Sequence, residues 1–153
     1  MTEESRSNSY QKALSEIELR LGKEGPDAVK DIPGILMEHL SFWWIGFYWV
    51  DGKEENLVLG SYEGPPACEM IRKGKGVCGT SWMEDKTIIV PDVDKFPGHI
   101  ACSSASRSEI VVPIRKDGSV SGVLDIDSRY LDNFDSVDAS FLEALSKKIS
   151  EVL

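Results

Sequence analysis

Three cysteines are the residues of this chain whose type and spacing most directly suggest chemistry. Cys68, Cys78 and Cys102 lie ten and then 24 positions apart. An odd number of thiols cannot be fully paired within one chain, so at least one thiol stays free. In a reducing compartment such thiols are either buried hydrophobes or reactive nucleophiles. The sequence therefore raises thiol chemistry as its first functional question.

Cys102 falls in a loop that the sequence predicts over residues 91–108. Its 18 residues are long for a compact domain, and loops of that length are usually functional or disordered. The loop holds Phe96, His99 and Ile100, a composition that is not typical of disorder. We therefore predict an active-site loop, and we leave His99 open between a structural role and assistance to the thiol.

A zinc site is the alternative use of these thiols. His99 and Cys102 form an H-x-x-C pair, which Cys68 and Cys78 could complete to four ligands. Structural zinc sites usually show close pairs such as C-x-x-C, and the cysteines here are much further apart. No metal is therefore expected.

Two acids on a predicted strand form a second chemical feature. Asp125 and Asp127 are two residues apart, so they share one face of the strand, and Leu124 and Ile126 share the other. Glu109 begins the neighbouring predicted strand. Carboxylates this close repel one another unless a cation or a shared proton intervenes. They either bind something positive or lie on a solvated face, and the residues alone leave both interpretations open.

Composition excludes several classes of function. The chain has 17 basic and 26 acidic residues, a net charge of −9, whereas nucleic-acid binding needs a basic surface. The longest apolar stretch, residues 42–50, is far shorter than the roughly 18 residues of a membrane span. With no recognisable signal peptide, a cytoplasmic protein without nucleic-acid or membrane partners is expected.

Hydrophobic periodicity predicts helices at both ends of the chain and strands between them. One domain over residues 1–153 is expected, with helices in 1–41, sheet and active-site loops in 42–127, and a helix in 134–153. The clearest strand prediction is a hairpin that turns at Asp117-Gly118. Asp135 is the predicted N-cap of the last helix. The residues predicted on the buried face of this helix are Val137, Phe141, Leu145, Ile149 and Val152. The fold class is α+β, a central antiparallel sheet with helices packed against it. The remaining predicted elements are helices near 10–21, 31–40 and 77–84, and strands near 42–50, 56–62, 88–90, 109–115 and 119–127.

Seven short segments resemble one known family. In order, and with the three cysteines at the family's spacing, they closely resemble the free methionine-(R)-sulfoxide reductases, which are stand-alone GAF domains. The likeness is strong from Trp44 to Asp127 and weaker over the first 40 residues. The segments are Trp44–Tyr48, Leu57–Gly60, Ala67-Cys68, Gly74–Thr80, Gly98–Cys102, Ser108–Val111 and Gly122–Asp127.

The resemblance implies a thiol-dependent reductase of free methionine-(R)-sulfoxide. It makes Cys102 the nucleophile, Cys68 the first choice of resolving cysteine and Cys78 the second candidate. Thioredoxin is the implied reductant, no bound cofactor is implied, and a homodimer is left open.

The same resemblance implies the substrate-binding residues. The acidic cluster would bind the α-ammonium, loop amides would bind the α-carboxylate, and the aromatic residues would contact the sulfur end. The implied residues are Trp44, Tyr48, Ile100, Ala101, Glu109, Asp125 and Asp127. The alternative is a GAF-type sensory module that binds a small ligand without catalysis. The spacing of the thiols, and the absence of an output domain from this sequence, favour the enzyme.

Overall fold

The computed structural model describes residues 2–99 and 105–153. The described helices are α1 (Glu3–Glu24), α2 (Ile32–Leu40), α3 (Gly76–Glu84) and α4 (Ser136–Ser150). The strands are β1 (Trp44–Val50), β2 (Asn56–Glu63), β3 (Met70–Arg72), β4 (Ile88–Val90), β5 (Ser108–Lys116) and β6 (Ser119–Ser128). Short 3₁₀ helices lie at Gly25–Asp31 and Val93–Lys95. Within the described chain, no helix is both long and apolar enough to cross a membrane.

The six strands form one antiparallel sheet in the order β3-β2-β1-β6-β5-β4. The α+β class and the antiparallel sheet with packed helices are therefore confirmed. The hairpin of β5 and β6 turns at Asp117 and Gly118, as predicted, and both residues have positive φ, 53° and 82°. Asp and Gly tolerate this backbone conformation better than most residues, which is why a two-residue turn forms here.

The sheet separates two hydrophobic cores. Alternate residues of β1, β5 and β6, such as Phe47, Ile110 and Leu124, pack with α1, α2 and α4 on one face. On the opposite face, residues such as Trp44 and Val111 pack with α3. The large helical core fixes the sheet, and the smaller core is left to form the walls of a pocket.

The predicted buried face of α4 is confirmed at Leu145 and Ile149, which are buried, but it is displaced in the first half of the helix. Val137 and Phe141 are only half-buried, and Asp138 and Leu142 occupy the core side instead. The physical reason is a polar contact: the Tyr10 hydroxyl donates to Asp138 Oδ1 over 2.6 Å. Asp138 also accepts from the backbone of Asp135 in a capping box, so a carboxylate is satisfied inside the core.

Two other elements were not predicted. Strand β3 has only three residues, too few to show an alternation of apolar and polar side chains. Between α1 and α2 the chain forms a 3₁₀ helix that buries Ala28 and Val29, an element that periodicity did not indicate. The described parts of the predicted loop, 91–99 and 105–107, contain only a short 3₁₀ helix, and Ser108 already belongs to β5.

Candidate active site

A pocket opens on the face of the sheet that carries α3. About 510 Å³ of space lies between its walls, a volume that includes open solvent at its mouth. One wall is formed by β1, β5 and β6, and the other by α3 and the segment before it. The described residues that line it are Trp44, Tyr48, Ala67, Ile71, Lys75, Gly76, Val77, Cys78, His99, Ser106, Glu109, Asp125 and Asp127.

Strand register brings the three predicted acids together in this pocket. Asp127 lies opposite Glu109 of β5 and opposite Trp44 of β1, and Asp125 follows two residues earlier on the same face. Glu109 is only 6% exposed and Asp125 only 5%, so the solvated-face interpretation is wrong. Asp127 is half-buried, and its Oδ1 accepts from the Ser106 hydroxyl over 3.1 Å. The structure therefore contains a carboxylate cluster, defined as Glu109, Asp125 and Asp127.

Burial is the main cause of the unusual electrostatics of this cluster. It raises the pKa of Glu109, Asp125 and Asp127 well above their ordinary values, and each pKa is raised further by the neighbouring carboxyl groups. The cluster thus retains protons that exposed acids would lose. Asp125 Oδ1 is buried and has no hydrogen-bond partner among the described residues. The cluster therefore presents acceptor atoms that a cationic group would satisfy.

Cys78 lies at the base of the pocket, against the cluster. It is a free thiol, only 3% exposed, and its Sγ lies within 4.8 Å of a carboxylate oxygen of Asp125. Burial, followed by the charges of Asp125 and Glu109, raises the pKa of the Cys78 thiol well above its ordinary value. A thiol reacts as its thiolate, so this environment suppresses the nucleophilicity of Cys78.

Two aromatic residues of β1 line the pocket, and each is held by a hydrogen bond to a backbone carbonyl. Trp44 Nε1 donates to Pro65 over 3.0 Å, and the Tyr48 hydroxyl donates to Cys68 over 2.8 Å. Burial raises the pKa of Tyr48, which keeps its phenol neutral and able to donate. Tyr48 therefore holds the backbone of Cys68 beside the pocket while its ring forms part of the wall.

Two glycines make room for the Trp44 indole, and sequence reasoning did not assign them to the site. A Cβ at Gly46 would lie 2.5 Å from the indole, and a Cβ at Gly64 would lie 2.7 Å from it. Gly64 also has φ +127°, which non-glycine residues rarely adopt. The signal was present, since Gly46 follows Trp44 by two residues on a strand and therefore shares its face.

Of the remaining predicted site residues, some are described by the structure and others lie outside the described residues. Cys68 is half-buried and disulfide-bonded. His99 lines the pocket, and its Nδ1 has no hydrogen-bond partner in residues 2–99 and 105–153. The predicted nucleophile Cys102 and the predicted loop amides of Ile100 and Ala101 lie outside the described residues. The structure thus brings the acids, the aromatic residues, Cys78 and His99 to one pocket.

The raised carboxyl pKa values predict how stability depends on pH. Folding favours the protonated cluster, so its stabilising effect is complete below the ordinary carboxyl pKa of about 4 and is lost as pH rises through the folded-state pKa values. Asp125→Asn removes one of these groups. We therefore expect the free energy of unfolding of ligand-free Asp125→Asn to increase, relative to wild type, between acidic and mildly alkaline pH. Urea titrations across that range measure it, and a difference that does not vary with pH would contradict the assignment.

Comparison with known proteins places this arrangement in a family. A GAF domain model matches residues 27–153. GAF domain-containing protein A of Dictyostelium discoideum is 50% identical over 145 residues, which are 94% of this chain and 91% of that protein. The chain therefore belongs to the GAF-domain family.

Several relatives carry a more specific name. The free methionine-R-sulfoxide reductase of Saccharomyces cerevisiae is 54% identical over 110 residues, 71% of this chain and 61% of that protein. The reductase of that name from Neisseria meningitidis, solved with its substrate, is 44% identical, with a TM-score of 0.90 over 93% of this chain and 86% of that chain. Within the GAF domains, the chain belongs to the free methionine-R-sulfoxide reductases.

Proposed function

We propose that this protein reduces free methionine-R-sulfoxide in the described pocket, with Cys102 as the attacking thiol and Cys68 as the resolving thiol. The observation that carries the proposal is the carboxylate cluster, which lies beside an aromatic wall in the pocket. A free amino acid brings an ammonium group, whereas a methionine within a peptide offers a neutral amide at the same position. The pocket thus supports selection for the free amino acid.

The buried carboxylate cluster favours binding of the substrate's ammonium group. Glu109 and Asp125 are almost fully buried, so their charged forms lack water and are unfavourable without a partner. An ammonium placed against Asp125 Oδ1 would satisfy an acceptor that has no partner among the described residues. Bound substrate would thereby lower the carboxyl pKa values and release part of the cluster's protons to solvent.

The aromatic wall suits the other end of the substrate. Trp44 is held by Pro65 and stacks on Tyr62 with ring centroids 5.5 Å apart, so its face is fixed. An S-methyl group packs favourably against such a face, and a sulfur centre that carries partial positive charge is attracted to it. We assign Trp44 and the ring of Tyr48 to this contact. The amides of Ile100 and Ala101 are assigned to the α-carboxylate.

The proposed chemistry balances in three steps. The Cys102 thiolate attacks the sulfoxide sulfur; the oxygen ends on Cys102 as a sulfenic acid, and the methionine sulfur is reduced by two electrons. A protonated carboxyl group of the cluster supplies the proton that the departing oxygen needs. Cys68 then attacks the sulfenic sulfur, water leaves, and a disulfide forms. The dithiol of thioredoxin restores both thiols by exchange.

The geometry supports Cys68 over Cys78 as the resolving thiol. Cys68 is half-buried and disulfide-bonded, and its backbone is held by Tyr48. Cys78 is a free thiol at the base of the pocket, and burial raises its pKa. A thiol that keeps its proton is a poor attacker of a sulfenic acid.

Peptide mapping after a single turnover tests the proposal. Fully reduced protein mixed with one equivalent of free methionine-R-sulfoxide, without reductant, is expected to release methionine and to form a disulfide between Cys68 and Cys102. Binding without methionine release would instead indicate a sensory GAF domain. A dominant Cys68–Cys78 bridge with Cys102 unmodified would contradict the assigned resolving step.

A further inference from the structure

The base of the pocket holds a set of donor atoms that the proposed reaction does not use together. One ligand atom from each of Cys78, Glu109 and Asp125 lies within 4.8 Å of the other two. All three residues are buried. A thiol and two carboxyl groups in contact, away from water, form a donor set of the kind that binds metal ions.

We propose that Cys78, Glu109 and Asp125 bind a borderline divalent cation such as Zn²⁺, at a position that overlaps the substrate ammonium. The cation would take one sulfur and two oxygen ligands, and water would complete a tetrahedron. The overlap rests on the proposed function, because the ammonium is assigned to the same carboxylates. Zn²⁺ is accordingly an inhibitor that competes with free methionine sulfoxide.

An unsatisfied atom is the observation that points to a ligand here. Asp125 is only 5% exposed and lines the pocket, and within the part of the chain that the structure describes its Oδ1 has no hydrogen-bond partner. Buried polar atoms without a partner are rare in native proteins, because each costs free energy. A bound cation would satisfy this oxygen and relieve the repulsion within the cluster.

The distances allow such a site with small movements. Zn–S bonds of about 2.3 Å and Zn–O bonds of about 2.0–2.2 Å place tetrahedral ligands roughly 3.5 Å apart. The donor atoms here are separated by at most 4.8 Å. Side chains must therefore close by about 1 Å or a little more, which is within the reach of a Glu side chain. Binding replaces the thiol proton with the metal, and the proton leaves to solvent.

The choice of ligands favours a metal of intermediate softness. Mg²⁺ and Ca²⁺ prefer oxygen ligands in larger number, and a thiolate is a poor ligand for them. Thiolate together with carboxylate suits Zn²⁺ and its spectroscopic substitutes Co²⁺ and Cd²⁺. When ionised, the thiolate and the two carboxylates carry three negative charges, and a bound Zn²⁺ reduces the net charge of the site to −1.

The experiment isolates Cys78 from the other two thiols. In a Cys68→Ser, Cys102→Ser double variant, Cys78 is the only remaining thiol of the three. We expect Co²⁺ or Cd²⁺ to produce a thiolate-to-metal charge-transfer band that saturates at one equivalent. Glu109→Gln in this background should weaken binding at least about tenfold. Glu84→Gln, at an exposed position at the end of α3, is the matched control and should leave binding unchanged.

Several outcomes decide the proposal. Two results support the site. The charge-transfer band disappears when Cys78→Ser is added to the double variant. The apparent dissociation constant of the metal rises as the concentration of free methionine sulfoxide is raised. Circular dichroism verifies that each variant is folded; where Glu109→Gln is not, Asp125→Asn replaces it. Absence of the band from the folded double variant, or equal effects of Glu109→Gln and Glu84→Gln, overturns the site. A band that free methionine sulfoxide does not displace overturns the overlap, and methionine release by the wild-type protein tests the reductase independently.

Discussion

Cys102→Ser is expected to release no methionine above background, even in a single turnover. A serine hydroxyl is a far weaker nucleophile than a thiolate at neutral pH, so no oxygen transfer should occur. Cys68→Ser keeps the attacking thiol and should release one equivalent of methionine, leaving a sulfenic acid on Cys102. Turnover with thioredoxin should then stop, because no disulfide is available for exchange. Rapid quenching under excess substrate measures the burst from each variant.

Cys78→Ser completes this comparison. Because the Cys78 thiol is buried and its pKa is raised by burial and by the nearby carboxylates, it is not expected to attack the sulfoxide or the sulfenic acid. A full burst from Cys102→Ser would disprove the central assignment. Loss of the burst in Cys68→Ser, with a full burst in Cys78→Ser, would exchange the roles of the nucleophile and the resolving thiol.

Blocking the substrate's amino group is expected to cause a large loss of kcat/KM. Truncating one partner of a buried charge pair costs about 3–5 kcal/mol, so N-acetylation should lower kcat/KM at least about a hundredfold. Asp125→Asn should lower kcat/KM for the free substrate by a comparable factor. The same variant should hardly affect the N-acetylated substrate, because the contact it removes is already missing. The four measurements form a cycle that isolates the interaction.

A control on the same hairpin separates local charge from general effects. Asp117 is exposed at the far turn of the β5–β6 hairpin and has positive φ, which Asn also tolerates. Asp117→Asn therefore removes one negative charge without strain and should leave both substrates unaffected. Comparable rates for the free and N-acetylated substrates with wild-type protein would contradict ammonium recognition by the cluster.

The sequence predicted the elements well where a pattern spans several residues. On α1 the apolar residues Tyr10, Ile17 and Leu21 are buried and Leu14 is partly buried on the same stripe. The β5–β6 hairpin forms as expected. The predictions failed where a tertiary contact determines which side chain is buried. The burial of Asp138 depends on Tyr10, 128 residues away along the chain, and periodicity cannot show such a contact.

The sequence predicted which acids share a strand face, but not whether that face is exposed or buried. Alternation correctly placed Asp125 and Asp127 on one face, but whether that face met solvent or a pocket depended on what packs over it. Helix α3 and the segment before it cover that face, and no local pattern in β6 indicates this. The roles of the cysteines came from the family resemblance, since spacing alone leaves all three pairings open.

The alternation along β6 also constrains how this gene can change. Leu124 and Ile126 lie in the helical core, while Asp125 and Asp127 lie in the pocket. A single-codon deletion upstream within β6 would shift the strand by one residue and exchange these faces, inserting acids into the core and aliphatic side chains into the pocket. Stability and substrate recognition would then be lost in one event. Length variation is consequently expected to be confined to the connecting turns, whereas the strand itself can evolve only by substitution.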